Sequence, residues 1–385
     1  MTDRTASIAV DYAADKWETK KILEDHGIPV ARGIVTRKFE DAKKSIRKIE
    51  YPLVVKPLDG NHGRGVTVGV NDLEHFATAF DAAKLQSRTG WVIIEKTLAG
   101  NDYRVLVING KMVAAAHRVP AHVIGNGKDT LQALIDRENE NPLRGYGHEN
   151  VLTEITVDHQ TERLIEDAGY ILKSVLPKGE ILTLKTTANL STGGTAVDIT
   201  DEVHPANVHI AERAIRLIGL DIGGVDIIAP DLTTPLSENG GGIVEINAAP
   251  GFRMHLQPTS GLARNVAEPV IDMLFPPGVR STIPIVAVTG TNGKTTTTRL
   301  INHILKGAGS TVGMCTTEGV YIKNRMIYPG DMTGPKSHGL VLSDPTIDAA
   351  VLECARGGIL RAGLGYRECN VGVVTNISPD HLGLK

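Results

Sequence analysis

The chain has 385 residues, enough for two or three domains. Hydrophobic residues make up 41% and aromatic ones only 4%, which suits packed cores and argues against a base-stacking platform for nucleic acid. A net charge of −3 gives no pull toward nucleic acid or an anionic membrane, and no run approaches the ~18 apolar residues of a membrane span, so neither partner is expected.

The three cysteines, Cys315, Cys354 and Cys369, are far apart and show no metal-ligand spacing. Met1 to Thr5 contains no apolar signal region. A reduced, cytoplasmic protein is the expectation.

Residues 13–26 read as one amphipathic helix with Trp17, Ile22 and Leu23 on its apolar side and Gly27 as its stop. Lys16 falls in the first turn, where the helix dipole disfavours a cation. That placement hints at an anionic ligand; a solvated lysine is the plain alternative. Tyr51 to Pro57 is a short buried strand ending in Lys56, and an ammonium on so apolar a strand needs an anionic partner. The stretch Asp59-Gly-Asn-His-Gly-Arg-Gly-Val66 follows at once. Its glycines, Gly63 and Gly65 among them, free backbone N–H groups to approach a phosphate. His62 either touches substrate or caps the turn.

Trp91 to Leu98 is a further buried strand, leading into a second one over 101–108. The connection could hold an adenine edge at Glu95, Lys96 and Leu98, with Asp102 on ribose hydroxyls. Arg104 shares a strand face with Asp102. It is either a substrate-side cation or an ion-pair partner of Asp102. Ser191-Thr-Gly-Gly-Thr195 offers hydroxyls and free N–H groups that suit a carboxylate or acyl phosphate; a plain turn is the alternative.

Gly223 to Ile228 reads as an apolar strand carrying one carboxylate, Asp226. Gly241 to Asn247 reads as another, with Glu245 and Asn247 two apart and so on one face. If the strands are neighbours, Asp226, Glu245 and Asn247 converge as hard oxygen ligands for Mg²⁺; a simple strand-end cap is the alternative for Asp226 alone. Arg253, six residues past Asn247, is placed to steady a developing negative charge.

Residues 276–284 are proline-rich and read as a linker. Ile285 to Thr298 then runs from buried strand to glycine turn to helix. Gly290-Thr-Asn-Gly-Lys-Thr295 is a shortened phosphate loop: the N–H groups of Gly290, Thr291, Asn292 and Gly293 cradle phosphate, Lys294 neutralises it, and the Thr295 or Thr296 hydroxyl can reach Mg²⁺. Glu353 sits at the end of a later strand, and His381 lies just past another.

Lys16, Lys56-Pro57, the glycine loop, Glu95 to Leu98 with Asp102, then Asp226, Glu245 and Asn247 occur in the order of an ATP-grasp ligase. This resemblance covers roughly residues 10–275. It implies an α+β ATP-grasp fold over 1–275 in which Lys16 and Lys56 contact ATP phosphates, the glycine loop closes over them, and the Asp226 trio holds Mg²⁺. The 290–295 loop resembles that of Mur ligases, which implies a partial α/β P-loop sheet over 285–385 with Thr295, Glu353 and His381 around a second Mg²⁺.

The stretches His117 to Ile135, Lys185 to Thr195, Ala248 to Leu256 and Ala355 to Arg361 are together similar to the cyanophycin synthetase family. That likeness implies an ATP-dependent amide ligase working through acyl phosphates, with ATP and Mg²⁺ as cofactors. Its partners would be a cyanophycin primer or polymer, aspartate and arginine, and a homo-oligomer is expected. The ATP-grasp half would add aspartate to the polymer C-terminus, with Arg253, Arg104 and Ser191 at the reacting carboxylate. The Mur-like half would add arginine to the aspartate side chain. By the same likeness a domain is missing before Lys16, and the rest of the Mur portion after Lys385, so the chain is expected to be a fragment of a longer protein. The alternatives are a ligase for another peptide or for aspartyl-arginine dipeptides, or an inactive nucleotide- or polymer-binding fragment.

Overall fold

The structure is a computed structural model that describes residues 2, 4–59, 65–147, 150–279 and 281–379. The chain divides into two compact units, Met1–Pro276 and Pro277–Lys385.

The first unit is built on two antiparallel sheets, of four and five strands, with two further two-stranded pairings in a small subdomain. Strands β1 (Gly33–Thr36), β2 (Leu53–Pro57), β3 (Thr67–Val70) and β4 (Val92–Lys96) form the smaller one, in the order β1-β4-β2-β3. Helices Phe39–Ile49 and Leu73–Gln86 cover it. Alternate residues of β2 turn inward, so Leu53 and Val55 pack with Val92, Ile94, Phe76 and Phe80 while Lys56 stays on the other face.

The larger sheet begins with β5 (Asn101–Ile108) and β6 (Lys111–Val119). After β6 the chain leaves it for a small subdomain that holds β7 (His122–Ile124), β8 (Arg144–Gly145), β9 (Leu152–Thr153) and β10 (Ile181–Thr183). Two helices, Leu131–Asn139 and His159–Asp167, complete its own core around Leu131, Ile135, Ile165 and Leu176. The chain returns through β11 (Thr195–Asp198), β12 (Ile222–Ala229) and β13 (Gly242–Asn247), giving the order β11-β6-β5-β12-β13.

One face of this sheet, carrying Val105, Val107, Val225 and Ile227, is closed by Leu23, Ala211, Ile215 and Ile218 from the covering helices. The period-2 alternation therefore sends Asp102, Arg104 and Asp226 to the opposite face. That face is apolar at its far end, where Leu106 and Ile108 meet Val266 and Met273, and beside the charged residues Ala116 and Ala196 pack with Leu190 and Met254.

The single helix expected over 13–26 is two helices, Ser7–Ala14 and Lys16–Asp25. Asp15 breaks the run because its carboxylate caps the second helix, accepting from the N–H groups of Trp17 (2.9 Å) and Glu18 (3.0 Å).

The second unit is a six-stranded sheet made of β14 (Ile285–Thr289), β15 (Val312–Thr316), β16 (Gly319–Ile322), β17 (Arg325–Pro329), β18 (Ala349–Glu353) and β19 (Val371–Val374). Its order is β17-β16-β15-β18-β14-β19. Strands β15, β18, β14 and β19 run parallel, and β15, β16 and β17 form an antiparallel meander. Among the described residues no helix is long and apolar enough to cross a membrane.

Candidate functional site

In the first unit, Glu95 and Lys56 lie on one face of the small sheet, because Glu95 pairs with Val54 and Lys56 with Ile93 across β4 and β2. The Glu95 carboxylate is held between two ammonium groups, Lys56 at 2.7 Å and Lys20 at 2.8 Å. Burial alone would push this carboxyl up, but the two lysines bring it below its ordinary value. Burial lowers the Lys20 ammonium despite its Glu95 partner. Lys16, Lys20, Glu95 and Glu245 line one narrow crevice of about 10 Å³. Lys56 thus has the anionic partner its strand demanded, and it is a side chain of the protein.

Lys20 is the residue that sequence reasoning missed here. It sits four residues after Lys16, on a helix whose other lysine, Lys21, faces solvent, and nothing in the sequence separates the two. The Lys96 ammonium donates to the Tyr51 carbonyl. Leu98 packs toward Gly242 on β13, where an added Cβ would lie 3.2 Å from it. Gly65 has the left-handed φ of +71° that favours glycine, whereas Gly63 and His62 lie outside the described residues.

On the larger sheet the register brings four charges together across β6, β5 and β12. Asp102 pairs with Arg118, and Arg104 with Asp226. The Arg104 guanidinium grips Asp226 through Nε and through a second bond of 2.9 Å. Arg118 donates to Asp102 (2.8 Å) and to Asp226 (2.9 Å). Arg104 therefore pairs with Asp226 and not with Asp102, and Asp102 has a guanidinium where a ribose was expected. Burial pushes the Asp102 carboxyl up, with Asp226 adding to the effect despite Arg118. Arg118 was also missed: it lies in an apolar-polar alternation that any β-strand shows.

Strands β12 and β13 are neighbours, with Asp226 opposite Glu245 and Gly224 opposite Asn247. The three oxygen donors share a face as expected. Asp226 differs from a ready metal ligand because both its oxygens accept from guanidinium groups. Among the described residues, Asn247 retains a buried amide nitrogen without a partner. An orphaned N–H donor beside Glu245 fits a site completed by an anionic ligand such as a phosphate, and the side-chain oxygens of Asp226, Glu245 and Asn247 are donor types that fit Mg²⁺.

Arg104, Arg118, Arg253, Asn189, Leu190 and Ser191 line an open cavity of about 390 Å³. All three residues expected at the reacting carboxylate, Arg253, Arg104 and Ser191, therefore line one cavity, although 149 positions separate Arg104 from Arg253. Ser191 rides on a 3-10 turn, Leu190–Thr192, that ends at Gly193 with φ +89°. Arg253 opens the short helix Arg253–Leu256, and its guanidinium donates to the Asn150 carbonyl (2.8 Å). His255, on the same short helix, is buried with neither ring nitrogen bonded among the described residues; burial first, then Arg104 and Arg118, lower it to about 4, so it is neutral.

In the second unit β14, the glycine turn and helix Lys294–Gly307 follow each other as the phosphate-loop pattern requires. Gly290 has φ +135°, and a Cβ there would lie 2.1 Å from the Thr375 hydroxyl; Gly293 has φ +84°. The Thr291 N–H donates to the Asn376 carbonyl (2.9 Å) and Asn292 accepts from Thr375 (2.7 Å). Lys294 folds back on the Thr291 carbonyl (2.8 Å). Of the two candidate hydroxyls, Thr295 meets Glu353 (3.1 Å) and Thr317 (3.1 Å), while Thr296 is exposed. The Thr317 N–H also donates to Glu353 (3.3 Å), a contact that sequence reading missed. Glu353 is fully buried, and burial pushes its carboxyl up. His381 lies outside the described residues.

Comparison with known proteins agrees with both halves. Residues 13–128 match the RimK-like ATP-grasp domain, and residues 288–384 the Mur ligase middle domain. The whole chain is 54% identical to the cyanophycin synthetase of Geminocystis herdmanii and 53% identical to that of Synechocystis sp., covering 44% of each. The chain thus spans less than half the length of these curated relatives. A glutathione biosynthesis bifunctional protein of Clostridium perfringens is 32% identical over 277 residues, which is 71% of this chain and 35% of that one. The crystal structure of a bifunctional glutathione synthetase from Pasteurella multocida superposes with a TM-score of 0.56 at 32% identity, over 72% of this chain and 38% of the other.

Proposed function

We propose that this chain, an ATP-grasp domain followed by a Mur ligase middle-domain segment and alike along its full length to cyanophycin synthetases, makes amide bonds at the expense of ATP. Its substrates in this reading are the cyanophycin polymer and aspartate in the first unit, and arginine in the second. The observation that carries the reading is the cavity where Arg104, Arg118, Arg253 and Ser191 converge. Three guanidinium groups and a hydroxyl around one open space are a site for a carboxylate that becomes more negative as it reacts.

In the first unit Lys16 and Lys56 would neutralise the phosphates of ATP, with Glu95 to Leu98 near its base. Mg²⁺, held by Glu245 and Asn247 with Asp226, would draw charge from the phosphate being transferred. Arg104, Arg118 and Arg253 hold the polymer's C-terminal carboxylate, whose oxygen attacks the γ-phosphorus as ADP leaves. Ser191 and the arginines then steady the tetrahedral oxyanion as the aspartate amine bonds to the acyl carbon. Phosphate departs and the amine's proton passes to water. Asp226, whose oxygens accept from Arg104 and Arg118, would join such a metal by sharing its carboxylate with those guanidinium groups, which the substrate carboxylate would also engage. Catalysis rests on position and charge.

In the second unit Lys294 and the loop N–H groups would hold a second ATP, with Thr295 and Glu353 at its metal. That unit's reaction would activate the new aspartate's side chain for arginine.

Mass spectrometry of a short aspartyl-arginine primer, incubated with the chain, Mg²⁺–ATP and aspartate, tests this. A gain of one aspartate residue is expected. ADP release with an unchanged primer would assign the ligase a different acceptor. No ADP at all would leave a binding fragment in place of an enzyme.

A further inference from the structure

The loop that carries Ser191 needs something to hold it. Its backbone N–H groups find only local acceptors among the described residues: Thr192, Gly193 and Gly194 donate to the carbonyls of Asn189, Leu190 and Asn189. Three consecutive small turns with no ladder would leave the hydroxyl loosely set. The restraint comes from the subdomain between β6 and β11, through Arg144 on β8.

Arg144 is buried, with 3% of its side chain exposed. One terminal nitrogen donates to two carbonyls at once, Thr153 at 2.8 Å and Gly193 at 3.0 Å. Gly193 is two residues after Ser191. Its Cα lies against Ile155, so that an added Cβ would meet the Ile155 side chain at 2.8 Å. Arg144 thus fixes the carbonyl on one side of Gly193 while Ile155 blocks the other.

The same segment holds the opposite wall of the cavity. The Asn150 side chain donates to the Arg144 carbonyl (2.8 Å), and the Asn150 carbonyl accepts from Arg253 (2.8 Å). One stretch of chain is therefore bonded to two of the groups that face the cavity, Arg253 and the Ser191 turn.

The charge of Arg144 has no full counterion. Its nearest carboxylate, Glu138, is 3.8 Å away and half exposed, and its Nε is buried with no acceptor among the described residues. A guanidinium in that state costs desolvation that carbonyl partners only partly return. An anion in the cavity beyond the Ser191 turn would return more of it.

We propose that Arg144 is a positioning residue for the carboxylate site: it does not line the cavity, but it sets the Ser191 turn and adds positive potential behind it. This rests on the functional reading above.

The test uses the full chain with Arg144→Met and Arg144→Lys. With primer varied at saturating ATP, and ATP varied at saturating primer, Arg144→Met should raise the primer KM about tenfold and leave the ATP KM within about twofold. Arg144→Lys, which keeps the charge, should recover most of the loss. Hydrogen exchange over 189–195 should speed up in the Met variant. An unchanged primer KM, or equal rises in both KM values, would overturn the proposal. If Arg144→Met does not fold, Gly193→Ala, which disturbs the same carbonyl through Ile155, should give the same one-sided KM change, and a normal primer KM there would overturn it.

A wild-type chain that adds no aspartate would sink the functional reading alone. Inorganic phosphate titrated into wild type and Arg144→Lys and Arg144→Met then decides the inference. About tenfold weaker binding in the Met variant, recovered by Lys, supports it; equal binding, or none to any of them, overturns it.

Discussion

The two units handle anions by opposite constructions. In the first, charge is assembled from afar: Arg104 reaches Asp226 across 122 positions and Arg118 reaches it across 108. In the second, a run of six residues, Gly290 to Thr295, supplies N–H groups, an ammonium and a hydroxyl from one turn. The first site exists only when three strands are in register. The second exists wherever strand, glycine turn and helix follow one another. The difference teaches that the first site shares its fate with the sheet that builds it, whereas the phosphate loop depends on two backbone conformations.

The largest effect should come from breaking the distant assembly. Asp226→Ala leaves two buried guanidinium groups without their shared carboxylate, and a loss of about 3–5 kcal/mol is expected. Trp17 and Trp91, the two tryptophans of the chain, both lie in the first unit, so urea unfolding followed by their fluorescence reads this unit alone. A change under 1 kcal/mol would mean the quartet adds little to the sheet.

Next in size is the functional separation of the two sites. Lys56→Ala should cut aspartate addition about a hundredfold, and Lys294→Ala should leave it within about twofold. Steady-state rates with the primer measure both. Equal losses in the two variants would join what the comparison divides.

Gly290→Ala sharpens the contrast from the other side. A Cβ 2.1 Å from the Thr375 hydroxyl, at φ +135°, should cost the second unit about 1–3 kcal/mol. Calorimetry should show its transition lowered, with the tryptophan signal of the first unit unmoved. An unaltered second transition would count against a tight loop.

The smallest effect is one of pH, and it has opposite signs in the two units. Glu95 lies below its ordinary 4.5, so its stabilisation is present above that pH and is lost as pH falls through the folded value. The gap between wild type and Glu95→Gln should be widest near neutrality and close below about pH 4.5. Glu353 lies above its ordinary 4.5, so the second unit is favoured below that pH and penalised as pH rises through the folded value. Glu353→Gln should be the more stable protein near neutrality, with the gap closing on acidification. Unfolding at a series of pH values, with hydrogen exchange to follow the second unit, checks both; gaps of the same sign would contradict the electrostatics.

How much the sequence disclosed follows the same division. The phosphate loop was legible down to its strand and helix because its chemistry is local and its glycines are required by positive φ. The sequence does not distinguish Thr295 from Thr296; in the structure β18 carries Glu353 to the former. The strands of the ATP-grasp half were also legible, and so was the shared face of Asp226, Glu245 and Asn247, since both follow from alternation. Ion pairing was not. Arg104 and Asp102 share a face and look like partners, but pairing across neighbouring strands gave each a different mate, and no residue spacing encodes which strands adjoin. Lys20 and Arg118 look like ordinary surface cations until burial is known. The break at Asp15 was readable in principle, since an aspartate three residues before a glutamate, Glu18, is a fair helix cap, but the apolar period ran through it.

The central claim is that the first unit activates a polymer carboxylate as an acyl phosphate. The most direct measurement follows ¹⁸O from a primer labelled in its C-terminal carboxylate during aspartate addition with Mg²⁺–ATP. The account predicts one labelled oxygen in the released phosphate for each aspartate added. Aspartate addition with unlabelled phosphate would contradict it.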